Sequence, residues 1–241
     1  MTETEWLSSA DPVAMIQVID RDIFWQSVPL AKSRKLRHFA CACCRQVWHL
    51  LTDDSPCGRC GGSGVYDAQA EITNRVCSNC SGTGRINRSR RAVETVERFA
   101  DGLATEEEAR LAANAATQVN MHPTIALNRK WGGNEFTGVP HAVQADLLRH
   151  IVGNPFRKTT ICGVPHDYPL IHCWDCRIII DAKGWLIGGL AERIYNSDQS
   201  AIPILHDALL DAAAPDELVE HFTINNHPKG CCVLDLILGK S

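Results

Sequence analysis

Four cysteines fall in two matching octets, CGRCGGSG from Cys57 to Gly64 and CSNCSGTG from Cys77 to Gly84, with sixteen residues between the two pairs. Two residues between thiols let one tight turn present both sulfurs to a tetrahedral ion, and the following glycines permit positive φ and close backbone approach. Paired CxxC knuckles at this separation are the ligand spacing of a four-thiolate zinc site. Zinc closed by Cys57, Cys60, Cys77 and Cys80 would activate no water, so the chemistry of this pattern is folding rather than catalysis. A pair of disulfides is the rival reading.

A second group, Cys162, His166, His172, Cys173 and Cys176, crowds fifteen residues and contains another CxxC. One reading is a second zinc site built from Cys173 and Cys176 with Cys162 and either His166 or His172; the other is a thiol redox pair. A redox CxxC calls for a helix start in a thioredoxin-like βαβ setting, which this chain does not offer. A metal held here by three protein ligands could keep a water, and that is the one route by which the sequence suggests an enzyme. Cys41, Cys43, Cys44, Cys231 and Cys232 lie in apolar stretches and read as buried thiols that pack as small hydrophobes. His38, His49, His122, His141, His150, His206, His221 and His227 look scattered. No Ser-His-Asp order, P-loop, GxGxxG or HExxH occurs, so no residue is assigned a catalytic role.

The elements that must hold these residues are mostly helical. The 241 residues are 45% hydrophobic and 22% charged, ordinary globular values that exclude global disorder, collagen and coiled coil. Asp11 and Pro12 are an N-cap and a first helical residue. Ser33 caps a run to Leu51 in which Leu36, Phe39, Ala40, Cys43, Val47 and Leu50 recur at helical spacing. Helical spacing resumes at Ser89 and stops near Gly102; Thr105 and Glu108 form a capping box before an alanine-rich helix over 106–121. Pro140 opens a helix ended by Gly153, Asn154 and Pro155, and three more run from Leu186 to Tyr195, Ile202 to Ala213 and Pro215 to Phe222. Outside the cysteine octets only Arg177 to Ile180 looks strand-like. The fold class is therefore mainly α: a multi-helix domain, 1–54 and 88–241, with a small zinc-knuckle β-hairpin module, 55–87, inserted in it.

Charge bounds the partners. With 24 Lys+Arg against 28 Asp+Glu the net charge is −4, which disfavours a whole-surface polyanion binder. Residues 55–91 differ: six arginines against Asp67 and Glu71 leave +4 there and −8 elsewhere. A dianionic zinc-tetrathiolate offsets about half of that +4, yet the RINRSRR run stays basic and could meet phosphates. Against nucleic acid, Tyr66 is the module's lone aromatic and no recognition helix separates the cysteine pairs. The twelve cysteines are too few for a disulfide scaffold. The amino terminus lacks a signal-peptide pattern, and the longest charge-free stretch, 111–128, is interrupted by polar residues. A reducing cytoplasm and no membrane span are the expectation.

The octets resemble the cysteine-rich zinc finger of DnaJ-type (Hsp40) co-chaperones, whose repeat is CxxCxGxG and which helps to engage unfolded polypeptide. That family carries four repeats and two zinc sites. This chain has two repeats and no HPD-bearing J-domain, so the resemblance implies the zinc role of Cys57, Cys60, Cys77 and Cys80 and a capacity to contact peptide. The stretches TEWLSSADPVAM, RKLRHFACACCRQVWHLLTD, SRRAVETVERFADGLATEEE, LLRHIVGNPFR, IPILHDALLDAA and GCCVLDLILGK are similar to an uncharacterised paralogous bacterial family of small helical proteins. In that family the LLTD and SRRAVE segments are nearly continuous, which makes 55–87 an insertion; 158–183 also departs from it. The combined expectation is a zinc-binding, non-catalytic interaction protein whose partner is protein or unfolded peptide. Nucleic-acid binding through the arginines and an enzyme built on 162–176 are the alternatives.

Overall fold

The computed structural model describes residues 1–21, 29–51, 54–66, 75–77, 80, 83–117, 138–156 and 184–240. These are mostly helical, and the strands are confined to two short antiparallel pairs. The chain divides into two compact units, one of Met1–Ala42 with Val139–Ser241 and one of Cys43–Gly138.

In the first unit, α1 (Glu3–Ser8) is opened by a capping box in which Thr2 and Glu5 satisfy each other's backbone N–H. This six-residue helix escapes a periodicity reading because it is too short to repeat. Its Trp6 is fully buried, and Arg149 ties its end down by donating to the carbonyls of Trp6 and Ser9. Asp11 accepts from the N–H groups of Val13 and Ala14 and starts α2 (Pro12–Arg21), as the sequence suggests. Helix α2 packs on α6 (His141–Val152), which ends at Gly153 with φ +81°.

Helix α3 (Pro29–Gln46) begins four residues before the expected Ser33 and ends well before Leu51, giving way to a 3-10 turn over Trp48–Leu50. Helices α7 (Gly184–Tyr195), α8 (Ile202–Asp211), α9 (Asp216–His221) and α10 (Cys232–Leu238) surround a core that includes Ile187, Ile194, Leu205, Leu218 and Leu234. Each such buried side chain contributes about 2 kcal/mol. A buried ion group runs through this unit: Arg34 and Lys35 both reach Asp235, each at 2.5 Å, and Arg34 also donates to the Tyr195 hydroxyl.

In the second unit, α4 (Arg88–Ala100) and α5 (Glu106–Thr117) form a helical hairpin. Ala92, Val93, Val96 and Ala100 on one helix and Ala109, Ala113 and Ala116 on the other are buried, small side chains that allow close approach. The expected Thr105–Glu108 capping box is present. Arg45 forms a bidentate pair with the buried Glu97 and stacks over the Trp48 ring at 4.1 Å. Strands β1 (Asp54–Pro56) and β4 (Arg85–Asn87) pair Ser55 with Ile86, and β2 (Val65–Tyr66) and β3 (Arg75–Val76) pair Val65 with Val76. The expected strand at Arg177–Ile180 lies outside the described residues, as does the end of the expected 106–121 helix beyond Thr117. Among the described residues no helix is long and apolar enough to cross a membrane.

Candidate metal centre

The two octets build the same turn twice. Cys60 N–H donates to the Cys57 carbonyl and Cys80 N–H to that of Cys77; Ser63 and Thr83 N–H groups donate to the carbonyls of Cys60 and Cys80. The hydroxyls repeat the correspondence, with Ser63 Oγ 2.8 Å from the Cys60 carbonyl and Thr83 Oγ1 2.7 Å from that of Cys80. The copies then interlock: Cys57 N–H donates to the Gly84 carbonyl at 2.8 Å, and Cys77 N–H to the Gly64 carbonyl at 2.9 Å. Gly64 and Gly84 take φ of +76° and +73°, the left-handed region that favours glycine. The closing glycine of each octet thus brings its backbone against the other octet.

This interlocking gathers the four sulfurs within 4.8 Å of one another. Cys57 and Cys77 Sγ stand 3.9 Å apart, Cys60 and Cys80 Sγ 3.7 Å. A zinc ion with bonds of about 2.3 Å to four tetrahedral sulfurs requires S···S separations of about 3.8 Å. The same separations are nearly twice a disulfide bond of about 2.04 Å, so the disulfide rival does not fit. Gly64 N–H donates to Cys60 Sγ at 3.3 Å. Burial pushes the Cys60 thiol up, but the N–H groups of Gly64 and Gly62 together with the Cys80 thiol outweigh it and leave the thiol below its ordinary value, as a metal-ligating thiolate needs.

The apolar cluster at the site consists of Cys57, Cys77 and Cys80 with Cys60 and Ile86 against it. One isoleucine contributes about 2 kcal/mol, whereas zinc contributes about 10 to 16 kcal/mol in small zinc peptides. Among the described residues, a zinc ion bound here would therefore outweigh the apolar packing. Asn87 joins it to α4, accepting from Arg90 N–H at 2.8 Å and donating to the Leu51 carbonyl. Beside Cys80 lies an open depression lined by Arg85, Ile86, Asn87, Arg90, Arg91 and Glu94. Three of the six arginines of residues 55–91 thus line one depression.

The group Cys162, His166, His172, Cys173 and Cys176 lies outside the described residues. Cys41, Cys43 and Cys44 are all buried, as expected of packing thiols. Burial raises the Cys43 and Cys44 thiols well above their ordinary value, which keeps them protonated.

Cys231 is also buried, as expected of a packing thiol. The fold gathers it with His150, His221 and His227, one potential ligand atom from each lying within 4.8 Å of the others. Burial is the leading cause that pushes His150 and His227 down to about 4 and His221 to about 3, so all three imidazoles are neutral at pH 7. The histidines that looked scattered include three that meet. The available signal was the run His221, His227 and Cys231 within eleven residues; His150 arrives from a helix 71 positions earlier and has no local signature. No protein-family model, curated protein or solved structure matches the chain, so its function is read from these residues alone.

Proposed function

We propose that this is a zinc-binding, non-catalytic interaction protein. In this reading one zinc held by Cys57, Cys60, Cys77 and Cys80 folds the 54–87 segment and fixes an arginine-lined surface beside it. The observation that carries it is the convergence of four sulfurs at zinc-compatible separations from two interlocked turns. Four thiolates fill the coordination sphere, so the ion is structural. Thiolate ligation also suits a reducing compartment such as the cytoplasm.

The partner is an acidic segment of another protein. Arg85 and Arg91, exposed at the depression beside Ile86 and Glu94, carry planar guanidiniums suited to carboxylates, whereas Arg90 donates to the Trp48 carbonyl at 3.0 Å. This narrows the unfolded peptide that the DnaJ-like octets imply to an acidic one, because an arginine-lined depression flanks the knuckle. Phosphates would suit the same guanidiniums, but base stacking needs aromatic partners, and none is among the described residues that line the depression.

The test is fluorescence anisotropy of the full zinc-loaded chain with a labelled Asp/Glu-rich peptide and with a single-stranded oligonucleotide of equal charge. The peptide is expected to bind more tightly, and Arg85→Glu/Arg91→Glu to weaken its binding at least tenfold. Tighter oligonucleotide binding supports the nucleic-acid reading instead, and binding of neither overturns the interaction surface.

A further inference from the structure

We infer that His150, His221, His227 and Cys231 form a second metal site, a four-coordinate centre of three imidazole nitrogens and one sulfur for zinc or a dication of similar preference. It lies wholly within the first compact unit, so it stands independently of the four-cysteine site in the second.

The donors come from separate places in the fold. His150 is near the end of α6, His221 is the last residue of α9, Cys231 immediately precedes α10, and His227 sits in the loop between the last two. His150 Nε2 is 2.9 Å from His227 Nδ1, His221 Nε2 is 3.1 Å from Cys231 Sγ, and Cys231 Sγ is 3.7 Å from His227 Nδ1. Around a tetrahedral zinc, N···N is about 3.3 Å and N···S about 3.6 Å. For these three pairs the donor atoms therefore need to move by only a few tenths of an ångström to surround an ion.

Their orientation is held from outside. The other ring nitrogen of His227, Nε2, is 3.0 Å from the Ile224 carbonyl. Donation to that carbonyl leaves Nδ1 as a lone pair facing the cluster, the arrangement by which backbone carbonyls orient metal-binding imidazoles. Gln199 clamps the backbone of His227, accepting from its N–H at 3.0 Å and donating to its carbonyl at 3.2 Å. Lys35 donates to the Gly230 carbonyl next to Cys231. Gly230, at φ +79°, lies so close to His38 that a Cβ there would be 2.5 Å from that side chain.

Donor chemistry sets the ion. Three imidazoles and one thiol exclude calcium and magnesium, which take oxygen donors, and match zinc. Binding displaces the Cys231 thiol proton to solvent; the three neutral imidazoles lose none. With all four positions filled by protein, the ion would cross-link α6, α9 and the start of α10.

The test uses the full chain stripped of metal by a chelator and titrated with cobalt(II), whose visible bands report four-coordinate geometry and whose near-ultraviolet charge transfer scales with thiolate number. Cys57→Ser/Cys60→Ser removes the first site and is expected to bind one cobalt with tetrahedral bands and single-thiolate charge transfer. Adding His150→Gln or Cys231→Ser to that variant abolishes this spectrum, with helicity followed by circular dichroism. If those additions unfold the chain, zinc at one hundred times its dissociation constant is still expected to raise the melting midpoint of the first-site variant by about 5 °C or more. The inference is overturned if the first-site variant binds no cobalt and gains no stability from zinc, or if its cobalt spectrum survives His150→Gln and Cys231→Ser. A wild-type chain with only the single-thiolate spectrum would instead refute the four-cysteine site.

Discussion

A Cβ placed on Gly84 would lie 2.1 Å from the carbonyl oxygen of Gly62, so the two octets touch through backbone that no side chain can enter. Gly84 also offers its own carbonyl to Cys57 N–H. The final glycine of one octet is thus a structural part of the other's knuckle.

Gly84→Ala is expected to prevent the knuckles from interlocking and to lower zinc content toward that of a cysteine variant. Gly58→Ala, where a Cβ would meet nothing within 4 Å, retains zinc and serves as the control. Elemental analysis of both proteins decides it; equal zinc in the two would contradict the close approach of the backbones.

Chelation of a His150→Gln chain, which lacks the second proposed ion, is expected to unfold the 54–87 segment while leaving the first unit's helices in place. The amides of Cys57 and Cys77, which donate across to Gly84 and Gly64, lose protection from hydrogen exchange. Amides in the α7 and α8 core keep theirs. Uniform loss, or no loss, in exchange mass spectrometry would count against zinc as the element that orders the segment.

What is legible in the sequence follows from range. Asp11, Gly153 and the Thr105–Glu108 box act on backbone within three or four residues of themselves, and each is found at a helix end in the structure. The four zinc-ligand candidates announce themselves because the two octets repeat a local turn. His150 meets His227 across 77 positions, and nothing near either residue encodes that meeting. Helix α3 starts early for a related reason, since Ser33 is a competent cap but Pro29 is equally suited to a first turn.

Asp235 answers two cations, Arg34 and Lys35, in a nearly solvent-free place. Removing it leaves both charges buried, which costs about 3 to 5 kcal/mol. Asp235→Ala is therefore expected to lower the melting midpoint by about 10 °C. A drop below about 2 °C in differential scanning calorimetry would show that the group contributes little.

Gly230→Ala places a Cβ against His38 at a positive φ and is expected to destabilise the first unit by about 2 kcal/mol or more. Gly239→Ala shares the positive φ but meets nothing within 4 Å, so it costs about 1 kcal/mol. Urea denaturation of the two variants should rank them in that order; the reverse order would refute the clash.

Whether Cys57, Cys60, Cys77 and Cys80 hold one zinc ion is tested most directly by elemental analysis of the untagged chain purified without added metal, beside Cys57→Ser/Cys60→Ser. The variant is expected to carry one zinc fewer per chain than the wild type. Equal zinc in the two proteins, or a wild type with intact thiols and no metal, would contradict a zinc site at these four cysteines.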